Sequence, residues 1–183
     1  MILVQTESTP NPEVYKFVTN QKLHTIPGLQ VMASEAEKPA GLVKDLFRYP
    51  IARLYIAGDY VAVEKKPHAD WSLLASQIRQ TLRNWLGAGK PVFEEEPPVS
   101  DSAMLTEFEQ QVNSWLLHTI VTATNLDGGA MKVSGIEGTT LKIQAIGACK
   151  GCPYVQETLQ RGVLPQLQSQ YPDLTTVVLD ESC

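Results

Sequence analysis

Three cysteines, at 149, 152 and 183, are all that this chain of 183 residues contains. An odd number, two of them three apart, is no disulfide framework for a protein of this size, so a reducing compartment is expected. Long apolar runs are missing too: none approaches the ~18 residues of a membrane span, and Met1-Ile2-Leu3-Val4 passes straight into polar residues instead of opening a signal peptide. The expectation is a cytoplasmic protein with no membrane association. Clustered positive charge is also scarce. Residues 1–87 carry ten Lys/Arg against eight Asp/Glu, but residues 88–183 carry five against twelve, for a net charge of -5. Without a basic patch to neutralise phosphates, nucleic acid is excluded as a partner. The three histidines, His24, His68 and His118, are scattered, with no pair at metal-ligand spacing.

What is present is ordinary globular material, 43% hydrophobic and 19% charged, so the chain is expected to fold. The run Gly87-Ala88-Gly89-Lys90-Pro91-Val92-Phe93-Glu94-Glu95-Glu96-Pro97-Pro98-Val99-Ser100 excludes a regular element and divides the chain. Two small α+β domains follow from this: residues 1–87, a Pro/Gly/Glu-rich linker over 88–100, and residues 101–183. In the first, Ile2 to Thr6 and Val14 to Val18 read as strands around the prolines of Thr9-Pro10-Asn11-Pro12, and Ala40 to Phe47 as a short helix. Ile51 to Ile56 and Tyr60 to Glu64 read as strands around Gly58-Asp59. Trp71, Leu74, Ile78, Leu82 and Trp85 mark the packing face of a helix.

In the second domain Ser100 or Ser102 is expected to cap a helix bearing Leu105, Phe108, Val112, Trp115, Leu116 and Ile120 on one face. Alternation at Met131 and Val133, a turn at Glu137-Gly138, and alternation at Leu141, Ile143 and Ala145 predict a hairpin running into Gly147-Ala148-Cys149. Pro153 suits the first turn of a following helix, which places Cys152 at its N-terminus. Val155, Leu159, Val163 and Leu167 give that helix an apolar stripe, while Gly162 and Pro165 are expected to bend or end it early. Thr175 to Leu179 reads as a last strand.

The chemistry lies in Cys149-Lys150-Gly151-Cys152. Thiols at i and i+3 of a tight turn can address one metal, and a helix N-terminus favours their ionised form. Gly147, Ala148 and Gly151 let the backbone approach a bulky inorganic group. Two thiolates are half of what a 4Fe-4S or 2Fe-2S cluster takes, so a second subunit could supply the others. Two other readings stay open: half of a zinc site in a structural interaction module, and a redox-active dithiol. A zinc site would call for another ligand pair, and a thioredoxin-like motif is expected after the first strand of a βαβ unit instead of after a late hairpin. Cys183 reads as a frayed free thiol.

Asp127-Gly128-Gly129, a hairpin, and then Gly147-Ala148-Cys149-Lys150-Gly151-Cys152-Pro153 resemble the C-terminal domain of NifU and Nfu proteins. The opening Gln5-Thr6-Glu7-Ser8-Thr9-Pro10-Asn11-Pro12 with Lys16-Phe17 resembles the N-terminal domain that many Nfu proteins carry. The resemblance implies a carrier, not an enzyme. It would bind a 4Fe-4S cluster between two subunits through Cys149 and Cys152 of each, with 2Fe-2S as the variant form, and pass it to apo iron-sulfur clients. The cluster-assembly machinery would be the other partner, and the loaded state a homodimer. Three positions depart from the family pattern. Thr119-Ile120-Val121-Thr122 stands where an Arg-Pro pair is usual, Ala130 where an Asp follows the glycines, and Tyr154 where smaller residues are common. Asp127 is expected to cap a turn or act directly, and Gly128 and Gly129 to supply positive backbone angles.

Overall fold

The computed structural model describes residues 1–23, 29–32, 41–92 and 105–180. The chain forms two compact units, Met1–Pro98 and Val99–Cys183. Both mix strands and helices, so the α+β class holds for each.

The first unit is built on five strands: β1 (Val4–Ser8), β2 (Val14–Thr19), β3 (Leu29–Met32), β4 (Ile51–Ala57) and β5 (Tyr60–Lys65). Their order is β1-β2-β5-β4-β3, with every neighbouring pair antiparallel. The β1–β2 connection is held by Thr9, whose hydroxyl donates to the carbonyls of Asn11 and Val14 at 2.9 and 3.0 Å. Helix α1 (Leu42–Leu46) and helix α2 (Trp71–Gly87) supply the rest of the core. Phe17, Leu54, Ile56, Val61 and Val63 of the sheet join Leu42, Val43 and Leu46 of α1 and Leu74, Ile78, Leu82 and Leu86 of α2 in one buried cluster. Each such side chain contributes about 1.5–3 kcal/mol relative to exposure.

Leu74, Ile78, Leu82 and Leu86 recur every four residues, as the amphipathic reading requires, and Asp70 caps α2 by accepting from the Ser72 amide at 2.9 Å. The two tryptophans flank this stripe and are only partly buried. Trp71 stacks on Tyr15 with ring centroids 4.3 Å apart and donates its indole N–H to the Pro12 carbonyl. Trp85 donates likewise to the Pro91 carbonyl. The sequence reading missed β3, a four-residue edge strand too short for alternation to register.

The second unit opens with α3 (Glu107–Leu126) and continues with β6 (Gly129–Glu137) and β7 (Thr140–Gly147). Then come α4 (Val155–Glu157), a π-helical stretch (Thr158–Val163), α5 (Leu164–Gln170) and β8 (Thr176–Leu179). β6 and β7 form the expected hairpin, and β8 returns parallel to β7. The expected caps Ser100 and Ser102 lie outside the described residues. What starts α3 is a reciprocal cap. The Glu109 carboxylate accepts from the Thr106 amide and hydroxyl, both at 2.8 Å, and the Glu109 amide donates back to the Thr106 hydroxyl. The second Glu109 oxygen accepts from the Ile136 amide at 2.8 Å, tying the helix to β6, and these bonds hold the carboxyl below its ordinary pKa.

The helix after the motif does not end at Gly162 or Pro165. It widens into the π-helical stretch and runs on to Gln170. Two pressures meet there. Pro165 has no N–H to return to the preceding turn. In addition, a stripe spaced strictly at i+4 advances about 40° per step around an α-helix, a drift that a wider turn absorbs. Val155, Leu159, Val163 and Leu167 accordingly all reach the same core.

Candidate functional site

The Cys149-Lys150-Gly151-Cys152 motif spans the connection from β7 to α4. Three short backbone bonds fold it: the Lys150 amide donates to the Gly147 carbonyl at 3.1 Å, Cys152 to Cys149 at 3.3 Å, and Val155 to Cys152 at 3.2 Å. Gly147 and Gly151 take positive φ, 61° and 75°, which lets the chain reverse twice within five residues. The Gly151 amide takes no part in these turns. Pro153 falls short of the helix it was expected to enter. Tyr154 is the cap residue and α4 begins at Val155, so Cys152 stands ahead of the cap instead of at the helix N-terminus.

The two thiols differ sharply in setting. Cys152 is partly buried, whereas Cys149 is 7% exposed and packs in the core with Val155, Leu159 and Met131. Burial pushes the Cys149 thiol up to about 12, with the neighbouring Cys152 and the Asp127 carboxylate adding to the shift. The expectation of an ionised Cys149 is thus reversed: in this state the sulfur is a protonated core atom.

Gly128 and Gly129 have separate roles. Gly128 carries the positive φ, 76°, and its carbonyl accepts from the Ala148 amide at 3.2 Å. Gly129 is extended, paired with Gly147 across the hairpin, and its requirement is steric. A Cβ there would stand 2.5 Å from Cys149 Sγ, 2.6 Å from the Cys149 amide nitrogen and 2.9 Å from the Ile146 carbonyl oxygen. The space that a side chain would fill is the space the Cys149 sulfur occupies. A glycine pair facing a cysteine across a predicted hairpin is the signal that could have revealed this in the sequence.

Among the described residues no three of His, Cys, Asp and Glu come together as a metal-binding group. His118 is exposed, its Nδ1 at 2.7 Å from the Ser114 carbonyl, and His68 is exposed; His24 and Cys183 lie outside the described residues. The motif does stand at the head of a strand-helix-strand unit, since β7 and β8 are parallel. Burial raises the pKa of Cys149, the leading cysteine of the pair, and so disfavours the ionised form that an attacking thiol needs.

Residues 4–89 match the family described as scaffold protein Nfu/NifU N terminal, and residues 112–178 match the NifU-like domain. With both domains matched in order, the chain belongs to the Nfu/NifU family, whose N-terminal domain is described as that of a scaffold protein. Among curated proteins it is similar to the NFU1 iron-sulfur cluster scaffold homolog, mitochondrial, of Drosophila ananassae. The two are 29% identical over 189 residues, covering 96% of this chain and 63% of that protein. The Drosophila sechellia counterpart is 29% identical over 196 residues, covering 99% and 66%. The chain therefore spans under two thirds of the length of these relatives. A solution structure of a NifU-like protein from Saccharomyces cerevisiae aligns with 52% of this chain and 87% of its own, at 19% identity and a TM-score of 0.48. None of the described helices is long and apolar enough to cross a membrane.

Proposed function

We propose that this chain carries an iron-sulfur cluster and hands it to apo-proteins, with Cys149 and Cys152 as the ligands. The observation that carries this reading is the isolated pair. Two thiols stand together with no third ligand beside them among the described residues, and a cluster takes four thiolates. Two copies of the chain then complete one cage, a 4Fe-4S cluster bridging a homodimer, with 2Fe-2S as the smaller alternative. A cage split between two chains opens by ligand exchange, one thiolate at a time, which suits a carrier better than a permanent holder. No substrate bond is turned over, so the chain is not an enzyme in this reading.

The buried Cys149 sulfur fits this cycle. Burial disfavours its ionised form, so alkylation and oxidation of the free thiol are slowed, and binding a cluster through it would release its proton. Residues 101–183 would be the cluster domain, residues 88–100 a linker and residues 1–87 an accessory domain for client recognition. Apo iron-sulfur clients and the assembly machinery are the partners, nucleic acid and membranes are not, and a reducing compartment such as the cytoplasm is the setting. The Drosophila relatives are named as mitochondrial proteins.

Anaerobic reconstitution with iron and sulfide tests the reading. The wild type is expected to form a brown dimer with about four irons per two chains, and Cys149→Ser and Cys152→Ser to stay colourless while keeping their fold. A protein that instead retains zinc, or that cycles a Cys149–Cys152 disulfide without binding iron, would be the interaction module or the dithiol protein.

A further inference from the structure

Tyr154 follows Cys152 by two residues and is 59% exposed. The other exposed aromatic of this unit, Phe108, is tied down: its ring meets Tyr171 edge-on at 5.7 Å, and Tyr171 meets Trp115 at 6.0 Å. Among the described residues the Tyr154 ring contacts no other ring and its hydroxyl has no hydrogen-bond partner. Its backbone, by contrast, is firmly placed. The Tyr154 carbonyl accepts from both the amide and the hydroxyl of Thr158, each at 3.0 Å. The preceding Cys152 carbonyl accepts from Val155, whose side chain is in the core. The chain thus fixes the root of a large amphipathic side chain beside Cys152, the more exposed of the two thiols, and leaves its ring outside.

Exposed aromatic rings contribute most where a partner buries them. The site beside Tyr154 is incomplete in one chain, since two thiols are half a cage, so the surface on which Cys152 opens is where a second copy must arrive. We propose that Tyr154 is the cover of this seam. When two chains share a cluster, the two Tyr154 rings lie along the interface and keep water, chelators and oxidants from the Cys152 thiolates and the cluster sulfides, and so set how fast cargo is released. This inference rests on the bridged-cluster reading.

The test uses the full-length wild type, Tyr154→Ala and Tyr154→Phe, each reconstituted anaerobically and checked for apo-state circular dichroism, mass by sizing, and iron per chain. A ferrous-iron chelator is then added and the decay of the visible cluster absorption is followed. All three are expected to load as dimers. Tyr154→Ala should lose its cluster about fivefold faster than wild type, the equivalent of about 1 kcal/mol in the barrier, and Tyr154→Phe at the wild-type rate. Decay of Tyr154→Ala at the wild-type rate overturns the proposal, as does a Phe variant as fast as Ala, which would assign the effect to the hydroxyl. A wild type that never forms a dimeric cluster removes the cargo reading and this inference together, an outcome recognisable because there is no absorption to decay.

Discussion

Phe17 in the first unit and Cys149 in the second are both almost wholly withdrawn from water, at 0% and 7% exposure, and for opposite ends. The Phe17 ring lies in a core of aliphatic and aromatic side chains, where burial is only a matter of stability. Cys149 lies in an otherwise similar core, yet its burial disfavours ionisation of a group that the proposed function uses as a ligand. One unit spends its interior on holding a sheet and two helices together; the other stores chemistry in it. The local geometry differs accordingly. The first unit has positive-φ glycines as well, at 41, 58 and 89, but the Cys149 side gathers a glycine gap, two positive-φ turns and a widened helix within a short stretch of chain.

The largest effect expected from this contrast is on the purely structural side. Phe17→Ala should destabilise the first unit by about 3–5 kcal/mol, read from urea titrations through the fluorescence of Trp71, whose ring centroid lies 6.3 Å away. Iron uptake per chain should not change. A parallel fall in iron would mean that the two interiors are not separate in function, and the comparison would break.

A smaller change sharpens the other side. Gly129→Ala places a methyl group against both the sulfur and the backbone of Cys149, and the backbone has nowhere cheap to go. The expected cost is about 1–3 kcal/mol of overpacking, accompanied by reduced iron uptake. Gly138→Ala is the matched control: nothing lies within 4 Å of its added Cβ, but its φ of 56° costs about 1–2 kcal/mol. Iron content separates the pair where stability does not. If Gly138→Ala lowers uptake as much as Gly129→Ala, the room left for the Cys149 sulfur is not what matters.

Much of this was legible beforehand, and the reasons are local. The α2 stripe, the β6–β7 hairpin and the apolar face after the motif all declare themselves through a period that a single segment carries. The site was legible as a spacing, Cys149 and Cys152, and illegible as a state. A cysteine's burial depends on what the sheet and the returning helix place around it, so the ionised thiol inferred from a helix N-terminus became a neutral core atom. The role of Gly129 was hidden for the same reason: its constraint comes from a residue 20 positions away. Thr106 and Glu109 could have been read as a capping box, but the serines nearer the linker drew the assignment. The π-helical stretch reflects a compromise between Pro165 and the core stripe that neither feature reveals alone.

Alkaline pH offers the finest separation of the two interiors. The Cys149 thiol ordinarily ionises near 9.0, and burial raises it to about 12. Below pH 9 the folded and unfolded chains both keep this proton, and the thiol adds no pH dependence. Above pH 9 the unfolded chain has lost the proton and the folded chain still holds it, so the unfolded state binds fewer protons and stability falls as pH rises. The slope is at most about 1.4 kcal/mol per pH unit and runs out as the folded-state value near 12 is passed. The quantity to measure is the difference between wild type and Cys149→Ala, by urea titration on either side of pH 9, which isolates the contribution of this one thiol. The second unit of the wild type should lose stability faster with pH than that of the variant. The first unit, which contains no cysteine, should be indifferent to the substitution. Equal slopes in the second unit would mean that the sulfur is not held neutral there, and the two interiors would then differ in composition but not in what their burial does.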